Sequence, residues 1–217
     1  MRKILWIFVF CVAMALVEAA IVVYLRAIYY PEGFAFPLKM MTLRHIIIEL
    51  GREAATIFML VAVAAISGRC FWEKFAYFIV CFGVWDIFYY VWLKVILGWP
   101  SSLFDWDILY LIPLPWIGPV IAPASIAALM IIIGLLMIGL YNSGYAFRPS
   151  RLTWALTVGG TLIILYSFMG DTGAGLHQEM PMPYRYYLLI AGEILYIVAF
   201  VLAWRNTVHQ SKAQEKE

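Results

Sequence analysis

Apolar residues in this chain come in long blocks rather than in alternation with polar ones. Six blocks, at about 4–28, 43–67, 74–97, 119–141, 151–170 and 184–204, are long enough for a helix to cross the hydrocarbon core of a bilayer. The breaks YYPEGFAFP (29–37), SGRCFWEK (67–74), YNSGYAFRPS (141–150) and GDTGAGLHQEMPMP (170–183) carry turn chemistry. The remaining connection, GWPSSLFDWDILYLIPLPWIGP (98–119), is apolar and aromatic but interrupted by Pro100, Pro113, Pro115 and Pro119. Proline inside a helix removes a backbone hydrogen bond and clashes with the preceding turn. A Pro-broken interfacial or re-entrant segment near 98–118 is therefore expected, its backbone satisfied against neighbouring helices. The pattern predicts an all-α polytopic membrane protein with six transmembrane helices, one domain over 1–205 and a polar tail over 206–217. No repeat of fixed period and no low-complexity tract divides it further.

Composition agrees with the pattern. Of 217 residues, 65% are hydrophobic and only 13% charged, against roughly half and a quarter in soluble domains. A net charge of +2 is too small to imply a nucleic-acid partner, and no basic cluster supports one, so none is expected. Arg2 and Lys3 followed by an apolar run and VEA (17–19) loosely resemble a secretory signal, but the run continues through AIVVYL (20–25), so an uncleaved first helix is expected. Nine basic residues (Arg2, Lys3, Arg69, Lys74, Arg148, Arg151, Arg205, Lys212, Lys216) fall on the side of the termini and five (Arg26, Lys39, Arg44, Lys94, Arg185) on the other. The positive-inside rule then puts both termini in the cytoplasm.

Within this topology the carboxylates do not scatter. Glu18, Glu53, Asp86 and Glu193 belong to four different helices, and at 1.5 Å per residue each lies about 13 to 17 Å from the outer end of its helix. His45, Glu49 and Glu53, spaced i, i+4, i+8, form one stripe leading down to that level, with Arg52 one position off it. Ionisable groups at such depth are costly and commonly face a bundle interior or a water-filled cavity. Several carboxylates at one depth also need protons, a cation or an arginine to coexist. Two readings stand side by side. Glu49 and Glu53 can pair with Arg52 and Arg44, and Glu18 with Arg26, to close a polar seam; or the group forms an outward-facing pocket for a small solute, cation or proton. Around Asp86, GVWDIFYYVW (83–92) supplies Trp85, Tyr89 and Tyr90, which can either pack or wall such a pocket. In the outer loops, Asp105, Asp107, Asp171 and His177 are either solvated charge or a lid over its mouth.

No motif requires a cofactor. GxSxG, HExxH and Walker sequences are lacking, and the Glu-x-x-His of carboxylate-bridged metal sites fails where Glu49 is followed at that offset by Arg52. A single metal on His45 and Glu49 with groups from other helices, or a haem between His45 and His177, would have no spacing motif behind it. Cys11, Cys70 and Cys81 form neither a CxxC pair nor a zinc pattern.

The stretches YYPEGFAFP, ELGREAATIFML, FGVWDIFYYVWLKVILGWP and WDILYLIPLPWIGPVIAP resemble an uncharacterised bacterial multi-pass membrane protein family with no assigned activity. The resemblance covers about residues 18 to 125 and implies a bacterial inner membrane. Three functions fit: binding or translocation of a small solute, cation or proton; a membrane enzyme acting on a lipid or isoprenoid; or a small subunit whose buried charges meet partner helices. The thinning of polar positions in the cytoplasmic half favours a one-sided pocket over a channel.

Overall fold

A computed structural model describes residues 2–112 and 114–214. Its elements are α1 (Arg2–Tyr29), α2 (Leu43–Ser67), α3 (Phe71–Leu97), β1 (Trp106–Tyr110), β2 (Trp116–Pro119), α4 (Ile121–Asn142), α5 (Arg151–Met169), the short α6 (Thr172–His177) and α7 (Tyr186–Gln214). All six apolar blocks are helices. Five of these, α1, α3, α4, α5 and α7, are long and apolar enough to cross a membrane. The 25-residue α2 matches them in length but concentrates Arg44, His45, Glu49, Arg52 and Glu53 in its first half. The segment expected as a polar tail continues α7 as far as Gln214, and its last three residues, like Pro113, lie outside the described residues.

Local sequence sets the helix ends. The side chain of Thr42 accepts from the backbone N–H of His45 to cap α2. Ser150 and Thr153 cap α5 reciprocally. Gly98 ends α3 with φ 70°, a left-handed conformation that costs glycine little, and Lys94 Nζ donates to the carbonyls of Gly98 and Pro100 at 3.0 and 2.7 Å.

The Pro-broken connection folds differently from the helices around it. It forms an antiparallel hairpin pairing Trp106 with Pro119, Asp107 with Gly118, Ile108 with Ile117 and Tyr110 with Trp116. Aromatic and β-branched residues favour the strands, and Pro119 stands at the strand end, where its missing N–H does little harm. The frame is thus all-helical, with a small β element where the sequence pattern predicted irregular backbone.

The helices assemble in two groups. α3 packs on α4, α1 and α2, while α5 packs on α7; β2 touches α4, α5 and α6 and so links the groups. Close approach depends on small residues, as is usual between membrane helices. A methyl group on Gly83 would lie 2.5 Å from the Ala127 carbonyl oxygen, and one on Gly134 would lie 2.8 Å from that of Ala76. One large apolar core, including Cys11, Leu60, Ala64, Ala76, Val80 and Met137, fills the half of the bundle nearer the chain termini. Outside it, large apolar side chains such as Phe58 and Ile66 are exposed (73% and 85%), a surface suited to lipid.

Candidate functional site

On α2 the buried positions Glu49, Glu53, Thr56, Leu60, Ala64 and Ser67 repeat at spacings of three and four, so its inward face is polar in the first half and apolar or small in the second. The polar half meets α1, α3 and the hairpin around a cavity of about 360 Å³. Glu18, Glu49, Arg52, Glu53, Asp86 and Tyr90 from the helices and Asp107 from β1 all line it, with Arg26 from the last turn of α1. The rest of the wall is mainly aromatic and aliphatic, extending past Phe82, Met130 and Ile164 to Phe168 and Tyr196 on α5 and α7. The space is amphipathic: charged at one end, apolar over the remainder.

Two clusters make up the charged end. In the first, Arg52 bridges Glu18 of α1 and Glu49 of its own helix, donating to Glu49 Oε2 through Nε at 2.8 Å and Nη2 at 2.7 Å. Thr56 Oγ1 donates to Glu18 Oε2 at 3.1 Å. Glu53 accepts from the backbone N–H of Leu111 at 3.0 and 3.1 Å, while the Tyr110 hydroxyl donates to the Glu53 carbonyl at 3.0 Å. This cluster fastens α1, α2 and the hairpin together with its carboxylates satisfied. Arg44 takes no part in it among the contacts of the described residues.

The second cluster is less complete. Arg26 Nη2 donates to Asp107 Oδ1 at 2.9 Å, and its guanidinium lies 3.7 Å from the ring centroid of Trp99 and 4.2 Å from that of Phe34. Such face contacts suit a desolvated arginine. Asp86 of α3 lies close enough to Asp107 for their charges to repel, and the Tyr90 hydroxyl faces the Asp107 carboxyl as a donor. Burial pushes the Asp107 carboxyl up to about 6, with Arg26 drawing it back. Among the described residues, Asp86 Oδ2, Asp107 Oδ2, Arg26 Nη1, Trp85 Nε1 and Trp116 Nε1 are buried without a hydrogen-bond partner, and all five residues line the cavity. Such atoms cost free energy unless something completes them.

The other candidates lie elsewhere. His45 Nδ1 bonds the Tyr29 hydroxyl at 2.6 Å at the junction of α1 and α2; Tyr29 lines the cavity and His45 does not. Glu193 is on α7 but not on the lining, and its Oε1 is buried without a partner among the described residues. Asp105 accepts from Ser101 and Ser102; burial acts to raise its carboxyl, but these bonds outweigh it and hold the group below the usual range. Asp171 accepts from the Met182 N–H, and exposed His177 contacts the Gly173 carbonyl; both organise the α6 loop, which reaches the residue just before β2 through Thr172 Oγ1 donating to the Pro115 carbonyl. Among the described residues no three His, Cys, Asp or Glu side chains group as metal ligands would.

Sequence reasoning did not single out Arg26 or Trp116 as lining this space, and it put Asp107 with the loop charges. The available signal was Arg26 two turns beyond Glu18 on the same helix, and WDILY followed closely by PLPWIGP as two short strands around prolines.

Helix length and apolarity make the chain an integral membrane protein. Comparison with known protein families, curated proteins and solved structures found no match.

Proposed function

We propose that this protein binds a small amphipathic molecule within the membrane, its polar end among the carboxylates and its apolar part between α3, α4 and α5. The observation that carries the reading is one cavity joining a charged end with partnerless polar atoms to a long apolar wall. The packed core between this cavity and the terminal side of the bundle supports a one-sided pocket rather than a conduit.

We read α2 as a sixth crossing, since only three residues separate it from α3 and its apolar face is turned outward. The hairpin then caps the outer end, the Lys and Arg distribution supports cytoplasmic termini, and the resemblance supports a bacterial inner membrane. Native mass spectrometry of protein drawn from its own membrane tests the binding. Wild type should carry one small molecule per chain, and the cavity-narrowing variants Ile126→Trp and Leu165→Trp should lose it. Identical spectra from all three would contradict the proposal.

A further inference from the structure

We infer that the bound molecule carries a protonated amine, held between Asp86 Oδ2 and Asp107 Oδ2. The inference rests on the amphiphile-binding reading above and adds the chemistry of the head group.

The two clusters at the charged end differ in what they still need. Arg52 and Thr56 leave no fully buried oxygen of Glu18 or Glu49 without a partner among the described residues, and Glu53 is served by the hairpin backbone. In the second cluster one guanidinium faces two carboxyls, and it occupies only Asp107 Oδ1. With both acids ionised, one negative charge and two acceptor oxygens remain, the complement of one monovalent cation bearing N–H donors. Asp107 is 2% exposed and Arg26 7%, so bulk water does not serve these atoms.

The surroundings select among cations. Trp85, Tyr89 and Tyr90 flank the acids, and aromatic faces stabilise organic ammonium groups well. A metal ion would call for more ligating groups than the cluster offers. Beyond the acids, the wall of Phe78, Phe82, Met130, Ile164 and Phe168 suits an alkyl chain attached to the amine. The amine can belong to a lipid headgroup or to a free amphiphile, and the chemistry of recognition is the same.

The test uses full-length protein in phosphatidylcholine nanodiscs, with radiolabelled dodecylamine and dodecanol as probes and protein-free nanodiscs as background. Dodecylamine should bind saturably, one per chain, at least about tenfold more tightly than dodecanol, as expected for a charge-assisted contact to two carboxylates. Asp86→Asn and Asp107→Asn should each abolish that preference, while Asp105→Asn, outside the cavity, should keep it. Replacing part of the lipid with phosphatidylethanolamine separates the sources. Competition with dodecylamine points to a headgroup amine, and unchanged binding points to a free one. Equal, saturable binding of amine and alcohol in wild type would overturn the amine assignment while leaving an amphiphile pocket, and this comparison needs no variant to fold. Saturable binding of neither probe would overturn both.

Discussion

Glu18–Arg52–Glu49 and Arg26–Asp107–Asp86 are both mixtures of acid and arginine in one cavity, yet only the first is complete. Arg52 spends its donors on two carboxylates, and among the described residues neither Glu18 nor Glu49 has a fully buried oxygen without a partner. Arg26 divides itself between one carboxylate oxygen and two aromatic faces, and both acids keep a free oxygen. A satisfied buried network holds helices in place; an unsatisfied one lining a cavity is where a ligand gains most from arriving. Similar composition thus serves structure in one cluster and recognition in the other.

Mutations should separate these roles. The largest effect on folding is expected from Arg52→Met, which strands two buried carboxylates and should cost about 3–5 kcal/mol, visible as a strongly lowered Tm or loss of folded yield. Restoring stability with the added changes Glu18→Gln and Glu49→Gln would confirm that charge compensation is the cause. Asp86→Asn should do the opposite, leaving Tm within a few degrees of wild type while removing the amine preference. An equal loss of stability in both variants would erase the distinction between the clusters.

Acidity sharpens the comparison further. The groups facing Asp107 are Arg26 from α1 and Asp86, Tyr89 and Tyr90 from α3. Its folded value of about 6 lies above the ordinary carboxyl range, so its contribution to stability is present at low pH and fades as pH rises through 6. Amine binding needs the ionised form and therefore moves the other way. From pH 7 to pH 5 dodecylamine affinity should fall about tenfold on this group alone, and a flat profile would contradict the role given to Asp107.

Smaller effects are expected from Glu53→Ala, which frees the Leu111 N–H and should cost about 1–3 kcal/mol, seen as faster hydrogen exchange in the hairpin. The smallest should come from His45→Phe. Losing its bond to Tyr29 should cost about 1 kcal/mol or less and leave ligand binding unchanged, since His45 stands outside the cavity.

Depth along a helix was legible in the sequence, because a rise per residue converts directly to position in the bilayer. It grouped Glu18, Glu53 and Asp86, which share the cavity. It also grouped Glu193, which does not line it. Depth carries no information about azimuth, and Glu193 is the one charged residue between Tyr186 and Trp204 of α7, so no polar stripe marks which side turns inward. On α2 the i, i+4 spacing of Glu49 and Glu53 did give that direction, and both are buried there. Asp107 was harder to read because its place depends on hairpin register: prolines argued against a helix without revealing that WDILY and WIGP pair. Arg26 reads as an ordinary basic residue at a helix end, and its burial depends on long-range contacts with Phe34, Trp99 and Asp107 that spacing does not reveal.

The most direct test is a structure determined in nanodiscs with a bound long-chain alkylammonium. Its nitrogen should lie within hydrogen-bonding distance of Asp86 Oδ2 and Asp107 Oδ2, with the chain running toward Phe168. Ligand density confined to the lipid-facing surface, or the two carboxylates turned away from a common point, would contradict it.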